Sequence, residues 1–166
     1  MNNEAFIDGQ NLRRGTTQSS TPWKVDLIKF YAYLNEKYHI KNAYYFLGYK
    51  MPELNKMYKT IESYGYKLVF KESILNSMSE KKGNVDTDIV FETMKKCAED
   101  KNLDKILIVS GDGDYFRTVR YLISKNKFLK ILGPDKMFMS ALYKKRILPK
   151  YYAYLSDPST RKKLIL

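Results

Sequence analysis

Four aspartates, far apart in the chain, stand where polar side chains are hardest to explain by folding alone. Asp8 closes the apolar run EAFID, Asp112 and Asp114 follow directly on KILIVS, and Asp86 opens a helical segment just after EKKGN. Carboxylates gathered at one point repel one another unless a divalent cation lies among them. The chain has one cysteine, Cys97, and one histidine, His39, so neither a cysteine-cluster site nor a two-histidine zinc motif is available. Oxygen-only coordination suits Mg²⁺ or Mn²⁺. With such an ion the natural chemistry is attack of water on a phosphodiester.

Each acid also has a plainer role open to it. Asp114 precedes a helical stripe and could serve as its N-cap, Asp112 could be a turn former, and Asp8 could form an Asx-turn. Asp86 is harder to dismiss. It shares a helical face with Val90, Met94 and Cys97, a direction in which an uncompensated charge is costly. Asp88 and Glu92 lie on another face of that segment and read as solvated surface, with Asp88 close enough to the helix start to turn inward. Lys81 and Lys82 precede Asp86 and could contact a phosphate, whereas His39 reads as a surface residue at a helix end.

The elements that must carry these acids alternate between short apolar runs and segments of helical period, the pattern of βα units and a parallel sheet. Strands are expected at residues 4–8, 42–47, 67–70, 105–109 and 128–132, and helices at 26–37, 52–64, 85–99, 115–125 and 140–145. Residues 9–24 and 71–84 read as loops. In an open parallel sheet, ligands bind beyond the carboxyl ends of the strands, which is where Asp8, Asp112 and Asp114 fall.

A chain of 166 residues fits one domain with an adequate core. Residues 1–155 are expected to form that domain and 156–166 a basic tail. No stretch approaches the apolar length of a membrane span, and MNNEAFIDG lacks the pattern of a secretory leader, so a soluble, cytoplasmic protein without membrane partners is expected. The net charge of +12 is unevenly spread: from Arg120 to Leu166, twelve basic residues face only Asp135 and Asp157. That asymmetry favours a polyanionic partner, although a lysine-rich solvated surface would give the same composition. The 15 tyrosines offer stacking surfaces for bases, without singling out one of them.

Taken in order, FIDGQNL, KGNVDTDIV, ILIVSGDGDYF and SALYKK resemble the NYN domains, a branch of the PIN-like metal-dependent ribonucleases that includes the LabA-like proteins. The resemblance implies a Rossmann-like three-layer α/β sandwich with a mainly parallel sheet. It also implies that Asp8, Asp86, Asp112 and Asp114 are the metal-binding acids, that Asn11 stands beside the metal, and that Ser110 and Lys82 occupy accessory positions. LabA-like members often carry a second acid six residues after the KGxVD aspartate, and here Glu92 stands in that place.

The expectation is therefore a Mg²⁺- or Mn²⁺-dependent ribonuclease, endonucleolytic in mode, with RNA as partner and DNA as the other polymer to test. A nucleic-acid-binding module without turnover and a small nucleotide phosphohydrolase are the rival readings. The pattern carries no signal for or against a homo-oligomer. Lys144, Lys145 and Arg146 are the expected backbone contacts. Replacing all three with alanine should leave the melting temperature unchanged, weaken RNA binding, and reduce the slope of log affinity against log salt by about 2. Binding titrations over a salt series check this, and identical slopes would remove these residues from the docking surface.

Overall fold

Every apolar run singled out above becomes a strand of one sheet. The computed structural model describes residues 1–72 and 84–166. Its strands are β1 (Asn3–Asp8), β2 (Ile40–Tyr49), β3 (Lys67–Lys71), β4 (Ile106–Val109), β5 (Phe128–Gly133) and β6 (Tyr152–Tyr154). They lie in the order β3-β2-β1-β4-β5-β6, and each neighbouring pair is parallel. The helices are α1 (Gly9–Thr17), α2 (Leu27–Tyr38), α3 (Asn55–Ser63), α4 (Asp86–Glu99), α5 (Phe116–Ser124), α6 (Ala141–Arg146) and α7 (Pro158–Leu164).

Strand periodicity sorts the core into two layers. Ala5 and Ile7 of β1 join Leu107 and Val109 of β4 on one face, packed with Phe30 and Leu34 of α2. Phe6, Ile106 and Ile108 point to the other face, where Ile89 of α4 and Val119 and Leu122 of α5 cover them. Both faces of β4 are thus buried, which is why ILIV contains no polar alternation. The result is the expected α/β three-layer sandwich.

Three parts of the chain differ from the expectation. Residues 9–24 read as a loop, yet Gly9–Thr17 is helical, capped by the Asp8 side chain. Gly and Thr are poor helix formers, so local propensity hides this helix. Packing dictates it instead: a Cβ on Gly15 would lie 2.2 Å from the Pro134 ring, so only glycine lets α1 approach so closely. The short strand β6 also escaped the pattern, since YAY is too brief to show alternation, and it pairs with Ile131, Leu132 and Gly133 of β5. Residues 156–166, set apart as a tail, contain α7, whose Leu164 is fully buried in the α2 layer. The Asp26 N–H donates to the Leu164 carbonyl at 2.8 Å, and Ile165 bridges to Val25.

Smaller shifts follow from register. Val85, Ile89 and Thr93 form the deepest line of α4, with Val90 and Cys97 half-buried beside it. Asp86 therefore flanks the buried line instead of lying along it. His39 is the exposed, left-handed C-cap of α2 (φ 53°), a structural position. Among the described residues, no helix is long and apolar enough to cross a membrane.

Strand order reverses between β1 and β4, which opens a crevice at their carboxyl ends. Asp8 and the turn after Val109 flank it. Because α7 closes the opposite layer through one buried leucine, Leu164→Ala should cost about 2–5 kcal/mol of stability. Urea unfolding checks this; a change within error would mean that α7 is peripheral to the fold.

Candidate metal centre

The crevice is walled by three segments, each held by hydrogen bonds from its own polar residues. At the end of β1, Asp8 Oδ1 accepts the Asn11 N–H at 2.9 Å and so caps α1. The Asn11 side chain then reaches across, its Oδ1 accepting the Gly111 N–H at 2.9 Å. Asn11 thereby ties the β1 and β4 loops together.

After β4 the chain turns sharply. The buried Ser110 hydroxyl accepts the Asp112 N–H at 3.1 Å, and Asp112 Oδ1 accepts the Asp114 N–H at 2.9 Å. The capping role open to Asp114 therefore belongs to Asp112, which starts a 3-10 turn at Gly113–Tyr115. A Cβ on Gly111 would lie 1.8 Å from the Phe138 carbonyl oxygen, and the Ser140 N–H donates to the Gly111 carbonyl at 2.8 Å. The Tyr143 phenol donates to the Asp112 carbonyl. These contacts clamp α6 onto the acidic turn.

The third wall is the start of α4, where Asn84 Oδ1 accepts the Asp86 N–H at 2.8 Å. Carboxylate oxygens of Asp86, Asp112 and Asp114 then lie within 4.8 Å of one another. Asp8 is not one of these three. It sits behind them, 4% exposed, and is joined to Asp86 by the fully buried Tyr115 phenol, at 3.1 Å from Asp8 Oδ2 and 2.6 Å from Asp86 Oδ1. Burial and both carboxylates push the Tyr115 phenol far above its ordinary value, so it keeps its proton. Burial raises the pKa of Asp8, the Asn11 N–H opposes that rise, and the charges of Asp86 and Asp112 add to it.

Asp88 pairs with Lys71 at 3.1 Å and stays out of the acidic group. Glu92, in the place of a second family acid, lines a separate cavity under α4. Ser110 has no solvent exposure, so it shapes the turn from within. Lys144, Lys145 and Arg146 form the exposed last turn of α6, with Lys144 over the Tyr154 ring. Lys82, with Lys81, lies outside the described residues. Tyr115 and Tyr143 were not singled out from the sequence. The available signal was position: Tyr115 follows Asp114 directly, and Tyr143 lies inside SALYKK.

Three carboxylates with no softer donor make a set suited to a hard divalent cation. An all-parallel Rossmann-like sheet with such a group at its switch point fits the PIN-like nucleases, a class whose substrates are nucleic acids. The chain belongs to the NYN domain family, which matches residues 5–146. It is 25% identical over 146 residues to the low amplitude and bright protein LabA of Synechococcus elongatus, covering 82% of this chain and 76% of that protein. It also superposes on the crystal structure of a protein of unknown function from Vibrio parahaemolyticus RIMD 2210633. There the TM-score is 0.76 at 18% identity, over 99% of this chain and 96% of the other, a likeness of fold.

The raised pKa of Asp8 has a consequence for stability without metal. Folding disfavours its ionised form, so its contribution to stability is fully present below the unfolded value, near 3.8, and is lost as pH rises through the raised folded value. In metal-free buffer, wild type should therefore lose stability relative to Asp8→Asn as pH climbs through that window. Melting curves of both proteins across the acid range check this; parallel curves would mean that Asp8 titrates normally.

Proposed function

We propose that this NYN domain is a Mg²⁺- or Mn²⁺-dependent ribonuclease that cuts RNA endonucleolytically. The observation that carries the reading is the convergence of Asp86, Asp112 and Asp114 at the sheet's switch point. These three residues would hold the ion, with Asp8 acting on Asp86 through the Tyr115 phenol that lies against both carboxylates. When bound, such an ion polarises a phosphoryl oxygen and makes water a better nucleophile.

The protein's own groups do the positioning. Asn11 fixes the β1 loop against Gly111, and Ser110 holds the Asp112 backbone, so the acids keep their spacing without help from substrate. Lys144, Lys145 and Arg146 would take the phosphates flanking the cleaved bond. Their helix is fastened to Asp112 through Tyr143, which couples docking to the acidic turn. Lys82 is assigned a further phosphate contact from its place in KGNVD. The free Cys97 fits a reducing cytoplasmic setting.

The experiment is incubation of labelled RNA and DNA oligonucleotides with and without Mn²⁺. Metal-dependent shortening of RNA supports the reading. A retarded oligonucleotide that is never shortened would favour a binding module, and turnover of mononucleotides alone would favour a phosphohydrolase. Asp112→Asn should reduce cleavage at least roughly 100-fold, about 2.7 kcal/mol of barrier. The same variant should keep or gain melting temperature without metal, because one repelling charge is gone. Cleavage at the wild-type rate with an unchanged metal-dependent rise in melting temperature would make Asp112 a turn residue and nothing more.

A further inference from the structure

A lysine interrupts β5, whose sequence FLKILG is otherwise apolar. The ladder to β4 passes from Ile106↔Phe128 to Leu107↔Lys130, so a bulge at Leu129 re-aims the side chains beside it. Leu129 packs against the α2 layer, and Leu132 belongs to that layer. Lys130, two residues before Leu132, faces the same side. It is half-buried and has neither a carboxylate nor a hydrogen-bond acceptor among the described residues. A cation turned toward a core layer without a partner costs stability.

The groups it meets are donors as well. Lys37 Nζ of α2 donates to the Tyr33 hydroxyl at 3.0 Å and lies 5.1 and 5.5 Å from the centres of the Tyr33 and Tyr38 rings. The two rings meet edge-on at 5.7 Å and are only 9% and 7% exposed. The Tyr38 hydroxyl is buried without a hydrogen-bond partner among the described residues. Thr160 of α7 borders the Tyr33 hydroxyl from the other helix. Burial and the neighbouring Lys37 charge hold the Lys130 ammonium below its ordinary value. Burial alone would raise the Tyr33 phenol, but the donors Lys37, Tyr38 and Thr160 bring it down.

The group therefore has a surplus of donors. Lys37 and Lys130 supply ammonium groups, Tyr33, Tyr38 and Thr160 supply hydroxyls, and the acceptors among them are neutral hydroxyl oxygens. No carboxylate is among the charges that act on Lys130 or Tyr33. An anion with several oxygens would offset the repulsion of the two lysines and accept the spare protons together. Phosphate has that form, with oxygens pointing in four directions to donors on three different elements.

The place is remote from the aspartates. The Tyr38 carbonyl accepts the side-chain amide of Asn3 at 2.8 Å, at the start of β1, whereas Asp8 ends that strand. Tyr33 and Tyr38 belong to the core layer of α2, and Tyr115 belongs to the opposite layer. The donors thus lie on the other face of the sheet and at its other end.

We propose that Lys37, Lys130, Tyr33 and Thr160 form a binding site for a phosphate group, with Tyr38 supporting Tyr33 from the core. Tyr33 takes Lys37 on its oxygen and turns its own proton to the phosphate. The bulge in β5 is the device that brings Lys130 to the site. Neither metal nor aspartate takes part, so this site and the hydrolytic reading succeed or fail independently.

The test follows the melting temperature of the full chain in EDTA while inorganic phosphate replaces chloride at constant ionic strength. Wild type should show a saturable rise, because a ligand held only by the folded chain stabilises it. Lys130→Met and Tyr33→Phe should each weaken phosphate binding about 10-fold or more. Without phosphate, Lys130→Met should melt at or above the wild-type temperature, since a repelling charge is gone. Lys37→Met, at an exposed position, keeps the test open if either of the others fails to fold. No saturable rise in wild type, or equal phosphate affinity in the folded variants, would overturn the site. A rise lost on replacing Lys144, Lys145 and Arg146 with alanine would assign the phosphate to α6 and overturn it too. A nucleoside 5′-monophosphate and RNA with or without a 5′-phosphate, run through the same variants, identify the source. The ligand whose affinity falls in Lys130→Met carries the phosphate that the site holds.

Discussion

The site depends on one buried phenol. Tyr115 sits where the end of β1, the start of α4 and the turn after β4 meet, and its hydroxyl lies against both Asp8 and Asp86. Without a donor there, two carboxylates would face one another in a poorly solvated space, and folding would have to overcome their repulsion. The phenol offsets part of that cost and fixes Asp86 where Asp112 and Asp114 can meet it. A hydrogen bond between elements so far apart in sequence thus helps to set the spacing of the acidic group.

The same turn joins two opposite electrostatic environments. Acids collect in the crevice, while the basic last turn of α6 lies on the surface beside it. The Tyr143 phenol and the Ser140 N–H bind α6 and the chain before it to the backbone of Gly111 and Asp112. The side chain of Lys144 lies over Tyr154, on the strand that closes the sheet beside β5. On the proposed reading, a polyanion docked on these cations would meet the acids through that direct connection.

Burial divides the acidic residues by role. Asp86, Asp112 and Asp114 share an opening, Asp8 is sealed behind them, Asp88 is neutralised by Lys71, and Glu92 lines the separate cavity under α4. One helix, α4, contributes Asp86 to the crevice and Glu92 to the cavity because residues six apart lie on different sides of a helix with 3.6 residues per turn. The acidic group and the cavity lined by Glu92 thus lie on opposite flanks of α4.

Much of this arrangement was legible in the sequence. Uninterrupted apolar runs such as ILIV mark strands buried on both faces, their alternation with helical segments requires a parallel sheet, and aspartates at their carboxyl ends point to a site there. Those inferences depend on local periodicity and on the rule that parallel strands share one direction, so they need no knowledge of contacts. Only the tertiary structure decided the rest. It made a helix of Gly9–Thr17, whose propensity is poor, because Gly15 must lie against Pro134. It gave the cap to Asp112 in place of Asp114, set Asp8 behind the group, and buried Leu164 of a segment that reads as a charged tail. It also selected Tyr115 and Tyr143 from 15 tyrosines. A tyrosine's role depends on what its hydroxyl meets after burial, and that partner is set by packing between distant segments, which no local pattern encodes.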